Sequence, residues 1–225
     1  MSVNLPAYNK VIAELAPYKA SLVAVSKVKP ASDIQALYDA GQRIFGENYV
    51  QELQEKYPIL PSDIEWHFIG HLQSNKVKYI APFVSMIHAV DSLRLLEEIN
   101  KQAAKHNRII RCLLQVHIAE EETKFGLNDT ELHALLTQWK EQADKFRHIR
   151  IAGFMGMATN TDNMEQVRAE FRHLKELQIQ LKKAFAPEDE QLSELSIGMS
   201  GDYTIALEEG STMVRIGSML FGARY

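Results

Sequence analysis

At 225 residues, 46% hydrophobic and 24% charged, the chain has the size and balance of one large α/β domain or two small ones. Its formal net charge of −4 argues against a general electrostatic attraction to nucleic acid. The single cysteine, Cys112, lies inside an apolar run; it excludes a disulfide framework, fits a reducing compartment and reads as a buried structural thiol.

The opening "MSVNLPAYNK" lacks a basic region followed by an apolar core, so it does not read as a secretory signal. No apolar run approaches the ~20 residues of a membrane span. A cytoplasmic protein is expected. A helix is predicted over about residues 6–16, ahead of everything else. The first strand is predicted over 22–28, "LVAVSKV", and a helix follows in "ASDIQALYDAG". Ser32 with Gln35 has the spacing of a capping box, and Gly41 suits a left-handed helix stop. Further strands are predicted over 43–47, 66–70, 86–90, 109–118, 151–157, 195–198 and 213–221. They are continuous apolar runs more than alternating ones, as expected of parallel strands covered on both faces. After the fifth, Asn128 is placed to cap a helix with Leu132, Leu135, Leu136 and Trp139 on one face. After the sixth, Met164, Val167, Phe171, Leu174, Leu177 and Leu181 recur at steps of three and four. After the seventh, "DYTIALEEG" predicts a short helix ending at Gly210.

Eight strand-then-helix units point to a (β/α)8 TIM barrel rather than an open doubly wound sheet. With no linker-like stretch, a single domain over residues 1–225 is expected. In such a barrel, function concentrates at the C-terminal ends of the strands. There the sequence carries Lys27, then "FGENYVQE", "HFIGHLQSNK", "GFMGMAT", "SIGMSGD" and "VRIGS".

Lys27 shares parity with Val23 and Val25, so its side chain is expected to point where theirs do. Near an apolar interior a lysine amine is more readily neutral and suited to attack a carbonyl. The bland alternative is a lysine that snorkels into solvent. Lys29, directly before Pro30, is expected in the loop. "GMSGD" and "RIGS" each join glycine to a hydroxyl, and Ser200 and Ser218 can add donors to backbone N–H groups around a phosphate. A helix start after Gly201 would aim its positive end the same way. A Schiff-base lysine opposite a phosphate cradle suggests a phosphorylated aldehyde: pyridoxal 5′-phosphate (PLP), or the sugar phosphate of an aldolase. Arg215 favours the first. It only donates hydrogen bonds, so a pyridine nitrogen facing it stays unprotonated and the ring is a weak electron sink. An internal salt bridge is the competing role for Arg215.

"LVAVSKVKP", "AGQRIFGENYVQE", "EWHFIGHLQSNK" and "LSIGMSGDYTIALEEGSTMVRIGSMLFGAR" together resemble the YggS-like family of pyridoxal-phosphate homeostasis proteins, called PLPBP or PROSC in animals. The match runs from about Leu22 to Tyr225. The resemblance implies a barrel similar to the N-terminal domain of alanine racemase, with PLP held as an internal aldimine on Lys27. It implies a phosphate site around Ser200, Gly217 and Ser218, Arg215 near the pyridine ring, and Asn48 and Met155 near the cofactor, with His67 at the same rim. Three departures stand out: Phe125 where the family has serine, "GDYT" where it continues with an acidic residue and methionine, and a shorter N-terminal region.

A carrier without catalytic turnover is expected, because an open cofactor face suits reversible loading and release, with PLP and apo PLP-dependent enzymes as partners. The alternative is a PLP-dependent amino-acid racemase, which needs two positioned bases. In alanine racemase the second comes from a separate β domain. Here the sequence stops at Tyr225, just after the last strand, and offers His67 or Tyr203 as local candidates. His67 and His71, four apart on a strand and turn, do not make a metal site. His117 and Lys124 read as rim residues, and Lys76, Lys78 and Arg94 as solvated surface. A monomer is the expected state.

Overall fold

A computed structural model describes residues 3–121, 125–188 and 190–222; Lys124 and Tyr225 lie outside them. Eight parallel strands close on themselves in chain order: β1 (Ser21–Val25), β2 (Ile44–Glu47), β3 (Glu65–Phe68), β4 (Met86–Val90), β5 (Ile110–Gln115), β6 (Ile149–Met155), β7 (Glu194–Ser196) and β8 (Met213–Ile216). The helices are α1 (Leu5–Leu15), α2 (Ala31–Asp39), α3 (Val50–Lys56), α4 (Val77–Ile80), α5 (Leu93–Lys105), α6 (Asp129–Glu141), α7 (Met164–Phe185), α8 (Tyr203–Glu208) and α9 (Ser218–Phe221). The expected (β/α)8 barrel with a preceding helix is the observed one.

Local chemistry sets the helix starts. Asn4 accepts the Ala7 N–H at 3.0 Å and begins α1, with Pro6 in the first turn. Asn128 and Glu131 form a reciprocal capping box on α6. The box expected at Ser32 and Gln35 does not form. Pro30 is the N-cap of α2, so Ser32 already lies inside the first turn and Gln35 donates to Asp39 instead. Gly41 takes φ 107° as α2 ends and donates its N–H to Tyr38.

The strands stop earlier than their apolar runs. β1 ends at Val25, because Val28 turns to φ 61° and the Lys29 N–H closes onto the Ser26 carbonyl. β5 ends at Gln115, and Val116 forms only an isolated bridge to Leu127. β8 ends at Ile216, and the remaining apolar residues coil into α9. Beyond β5 and β8 the apolar side chains pack from a turn and a short helix, whereas Val28 stays exposed.

Between strands and helices lies the main core, in which Trp66, Phe45, Phe68, Phe154 and Phe171 are fully buried. α7 contributes Val167, Phe171, Leu174 and Leu181, but Met164 is exposed. A smaller apolar cluster fills the barrel interior: Val23, Met86, Ala89, Leu113, Ala152, Met155 and Met213. The two clusters reflect side-chain alternation along each strand.

At Gly153 the β6 and β7 backbones come so close that a Cβ would stand 1.8 Å from the Glu194 carbonyl oxygen. Neither atom belongs to a flexible side chain. Gly153→Ala should therefore destabilise by ~3 kcal/mol or more, read as a drop in denaturant midpoint, while Gly201→Ala, with open space around it, leaves that midpoint near wild type.

Candidate functional site

At the C-terminal rim, a cavity of about 290 Å³ opens over the ends of β1, β2, β7 and β8. It is lined by Lys27, Asn48, Ser200, Arg215, Gly217 and Ser218, together with Val25, Ile69, Met157, Met199 and Gly201. Six of the eight residues expected at the site are thus brought together. Lys27 is half-buried and, although β1 stops two residues before it, faces the cavity beside Val25 as its parity indicated. A larger cleft of about 960 Å³ lies between α3 and α4 and also reaches Asn48. It holds neither the glycine loops nor the buried cation, so the smaller cavity has the chemistry of a site.

The loop after β7 is shaped by Gly198, at φ 93°, where a Cβ would meet that of Ala206 at 2.6 Å. The Met199 N–H then donates to Asp202 at 2.6 Å. This turn brings the Ser200 hydroxyl within 3.2 Å of that of Ser218, from the loop after β8. Among the described residues the backbone N–H groups of Ser200, Gly201 and Ser218 have no acceptor within the chain. Two hydroxyls and unpaired N–H groups on converging loops suit an oxyanion such as phosphate. The expected helix start after Gly201 is only the six-residue α8, with Asp202 at its cap.

Arg215 on β8 is buried, and its guanidinium donates to the Ser196 carbonyl at 2.6 Å, the Ser196 hydroxyl at 2.7 Å and the Gly156 carbonyl at 3.1 Å. Burial pushes its pKa down to about 10, opposed by Asp202, which leaves it charged at neutral pH. None of its hydrogen-bond partners is a carboxylate. Among the described residues Arg215 makes no internal salt bridge of the kind considered from sequence. A buried cation whose direct hydrogen-bond acceptors are all neutral favours an electron-rich group in the cavity above it.

Two expected residues sit elsewhere. His67 is not at the rim: its ring lies inside the barrel, only 1% exposed. β3 ends at Phe68, so His67 is an inward-facing strand residue one step below the loop. Met155 belongs to the interior cluster beneath the cavity, and Met157, two residues on, lines it instead. Phe125 is exposed and stacks on His71, 4.3 Å between centroids. Among the described residues no group of three or more His, Cys, Asp or Glu is placed to hold a metal ion. No helix among them is long and apolar enough to cross a membrane. Cys112 is fully buried, and burial pushes its thiol well up.

The sequence pattern of the family described as "Alanine racemase, N-terminal domain" matches residues 7–225. A "Pyridoxal phosphate homeostasis protein" of Aquifex aeolicus is 41% identical over 206 residues, 91% of this chain and 87% of that one. The chain belongs to the pyridoxal phosphate homeostasis protein family. A relative of the same name from Escherichia coli is 40% identical over 215 residues, 92% of this chain and 87% of that one. PipY of Synechococcus elongatus PCC7942, solved with PLP bound, superposes with a TM-score of 0.85 at 34% identity, over 96% of this chain and 99% of that one. Alanine racemase from Streptomyces coelicolor gives a TM-score of 0.75 at 16% identity, over 99% of this chain and 60% of that one, a likeness of fold alone.

In this homeostasis-family barrel the interior below Arg215 is polar. The Ser196 hydroxyl accepts from Arg215 and lies 3.1 Å from His88 Nδ1, and His88 Nε2 lies 3.0 Å from His67 Nδ1. Arginine cannot accept, so Arg215 donates to the Ser196 hydroxyl; the Ser196–His88 and His88–His67 contacts each share one proton, whose side depends on the imidazole tautomers. One proton per contact is what two neutral imidazoles supply, and His67 Nε2 is a buried atom without a partner among the described residues. Burial holds the His67 pKa down to about 3, with Arg111 adding to the effect. Burial likewise holds His88 well below the usual range, helped by His67, Arg215 and Arg111. His88 and Ser196 were missed from sequence, although "MIHAV" places a histidine mid-strand.

These shifts make stability depend on pH. As pH falls below 6.5, the unfolded chain protonates both rings, whereas the folded chain keeps them neutral until far lower. The stability they confer is complete above that value and lost as pH drops toward about 3. At ~1.4 kcal/mol per unit, the His67 shift alone is worth a few kcal/mol. Urea unfolding should show a falling free energy from pH 7 to pH 5, and imidazole nitrogen shifts at pH 6 should show both rings neutral.

Proposed function

We propose that the protein binds PLP reversibly in the 290 Å³ cavity and acts in PLP homeostasis. The observation that carries this reading is the convergence on one cavity of Lys27, the buried Arg215 guanidinium and the Ser200–Ser218 hydroxyl pair. In its support, relatives covering most of the chain carry the homeostasis name, and a 34% identical structure holds PLP. The two serine hydroxyls and the neighbouring N–H groups bind the phosphate. Arg215 offers a permanent donor to the ring nitrogen, and Asn48 lines the side wall. Bound there, PLP supplies an aldehyde with which a primary amine condenses, losing water; Lys27 provides that amine.

The reading is of a carrier without turnover, from which released PLP reaches apo-enzymes. Racemisation needs a second base, and the two local candidates are committed elsewhere. His67 is held neutral inside the barrel. The Tyr203 phenol donates to Glu14, and burial and that bond push its pKa up to about 12.

Borohydride reduction of PLP-loaded protein should fix the cofactor on Lys27, as read by peptide mass spectrometry, and Lys27→Ala should abolish the adduct. A label on another lysine would overturn the assignment. Ser200→Ala with Ser218→Ala should weaken PLP binding about tenfold to a hundredfold, as expected for two hydrogen bonds of ~1 kcal/mol each. Incubation of loaded protein with L- or D-amino acids should give no inversion by chiral chromatography.

A further inference from the structure

We propose that Glu47, Lys56 and Glu52 form a charged clamp that positions Lys27 for covalent capture of its ligand. The inference rests on the PLP-binding reading and concerns residues outside the cavity wall.

Lys27 sits in the turn by which the chain leaves β1. The peptide groups on both sides of it are held by charged side chains. Lys56 Nζ, at the end of α3, donates to the Ser26 carbonyl at 2.9 Å. Glu52, one turn earlier, accepts the Val28 N–H at 2.8 Å. The same ammonium donates to Glu47 at 2.7 Å and to Glu52 at 2.7 Å, so all three of its protons are used. The Ser26 hydroxyl also donates to Glu47, at 2.6 Å. Downstream, Lys29 Nζ donates to the Phe221 carbonyl at 2.8 Å and ties the turn to α9.

Two features show that this cluster does more than fill space. First, it is a costly arrangement. Glu47 is fully buried, with Oε2 unpartnered, and desolvation pulls its pKa up against the pull of Lys56. Buried ion pairs are weak stabilisers compared with apolar packing. Second, the turn it grips is strained. Val28 takes φ 61°, rare for a β-branched residue, and is 58% exposed, so side-chain packing does little to offset the strain. Such strain persists where surrounding contacts over-determine it. Here the contact on Val28's own N–H is Glu52.

The chemistry explains why placement matters. In capture, the Lys27 nitrogen forms a bond to the aldehyde carbon and the carbonyl oxygen leaves as water; the reverse step consumes water. With the phosphate fixed on the loops after β7 and β8, the yield depends on whether the amine lies within ~3–3.5 Å of that carbon. The clamp fixes the backbone from which the amine projects. Glu47, Lys56 and Glu52 are positioning residues, absent from the cavity lining.

The test compares PLP with pyridoxine 5′-phosphate, which has the same ring and phosphate but no aldehyde. Glu52→Ala frees the Val28 N–H at a carboxylate whose side chain is 23% exposed. It should weaken PLP binding about tenfold, slow reductive trapping at Lys27, and leave pyridoxine 5′-phosphate affinity within about twofold. Glu52→Gln, which keeps an acceptor for Val28, should recover most of the loss. Lys56→Met should have a larger effect in the same direction, and should it fail to fold, Glu52→Ala decides. Equal losses for both ligands would mean that the clamp merely shapes the cavity, and no loss for either would mean that it is idle; both results overturn the proposal. Failure of the PLP-binding reading itself shows separately, as wild-type protein that yields no trapped adduct.

Discussion

The seam between the first strand and the last is the contact on which the site depends. Ser21 pairs with Met213, Val23 with Arg215 and Ala24 with Ile216. This pairing closes the barrel and fixes the register between two stretches almost two hundred residues apart. Val23 and Arg215 face inward at one level, so the turn after β1 emerges beside the loop after β8. β7 adds its loop from the next position, and β2 adds Asn48 from the other side. Four adjacent strands thus supply an amine, a guanidinium, an amide and two hydroxyls to one cavity. A one-residue slip along β1 would turn Val23 outward and carry Lys27 away from the cavity.

Arg215 in turn constrains the interior below it. A buried guanidinium with no carboxylate among its hydrogen-bond partners makes a second buried cation nearby costly. The interior answers with a hydroxyl and two neutral imidazoles linked in one hydrogen-bonded chain, Ser196 to His88 to His67. Their neutrality follows from desolvation and from Arg215 and Arg111. The chain also fixes the Arg215 plane, because the Ser196 hydroxyl that accepts from it is held by His88. Orientation at the rim and protonation state in the interior are therefore one problem.

Much of this was legible in the sequence. Strand runs with one or more capped helices between them gave the barrel, and parity placed Lys27 toward the cavity. The glycine and serine loops were legible because backbone approach to an anion requires small residues there. The errors share a cause: the apolar runs at Val28, Ile118 and Met219–Phe221 outlast the strands, and hydrophobicity alone does not say where the backbone turns. His67 and Met155 are expected near the cofactor from the family resemblance, whereas strand alternation turns both into the barrel interior and leaves Met157 on the cavity wall. The clamp was less accessible. Glu52 and Lys56 stand at i,i+4 spacing, a visible helix pair, but ordinary pairs of that kind are exposed and weak. That this one folds over the end of β1 depends on how α3 packs, which no local pattern encodes.

The charges around the cavity divide the work of holding a ligand. On the proposed reading, the phosphate meets neutral hydroxyls and N–H groups, the ring nitrogen meets a permanent cation, and the amine meets the aldehyde from a turn gripped by a buried ion cluster. None of these groups needs to change protonation state to keep the ligand in place. Arg215 is charged throughout the neutral range, with its pKa about 10, and as a donor it would leave a ring nitrogen facing it unprotonated. A ring in that state draws electrons weakly from a substrate carbon. The Tyr203 phenol, held by Glu14 and pushed up to about 12, is a poor proton acceptor at neutral pH. On that reading, grip without electron withdrawal, beside a covalent bond that water reverses, suits storage and release of the ligand.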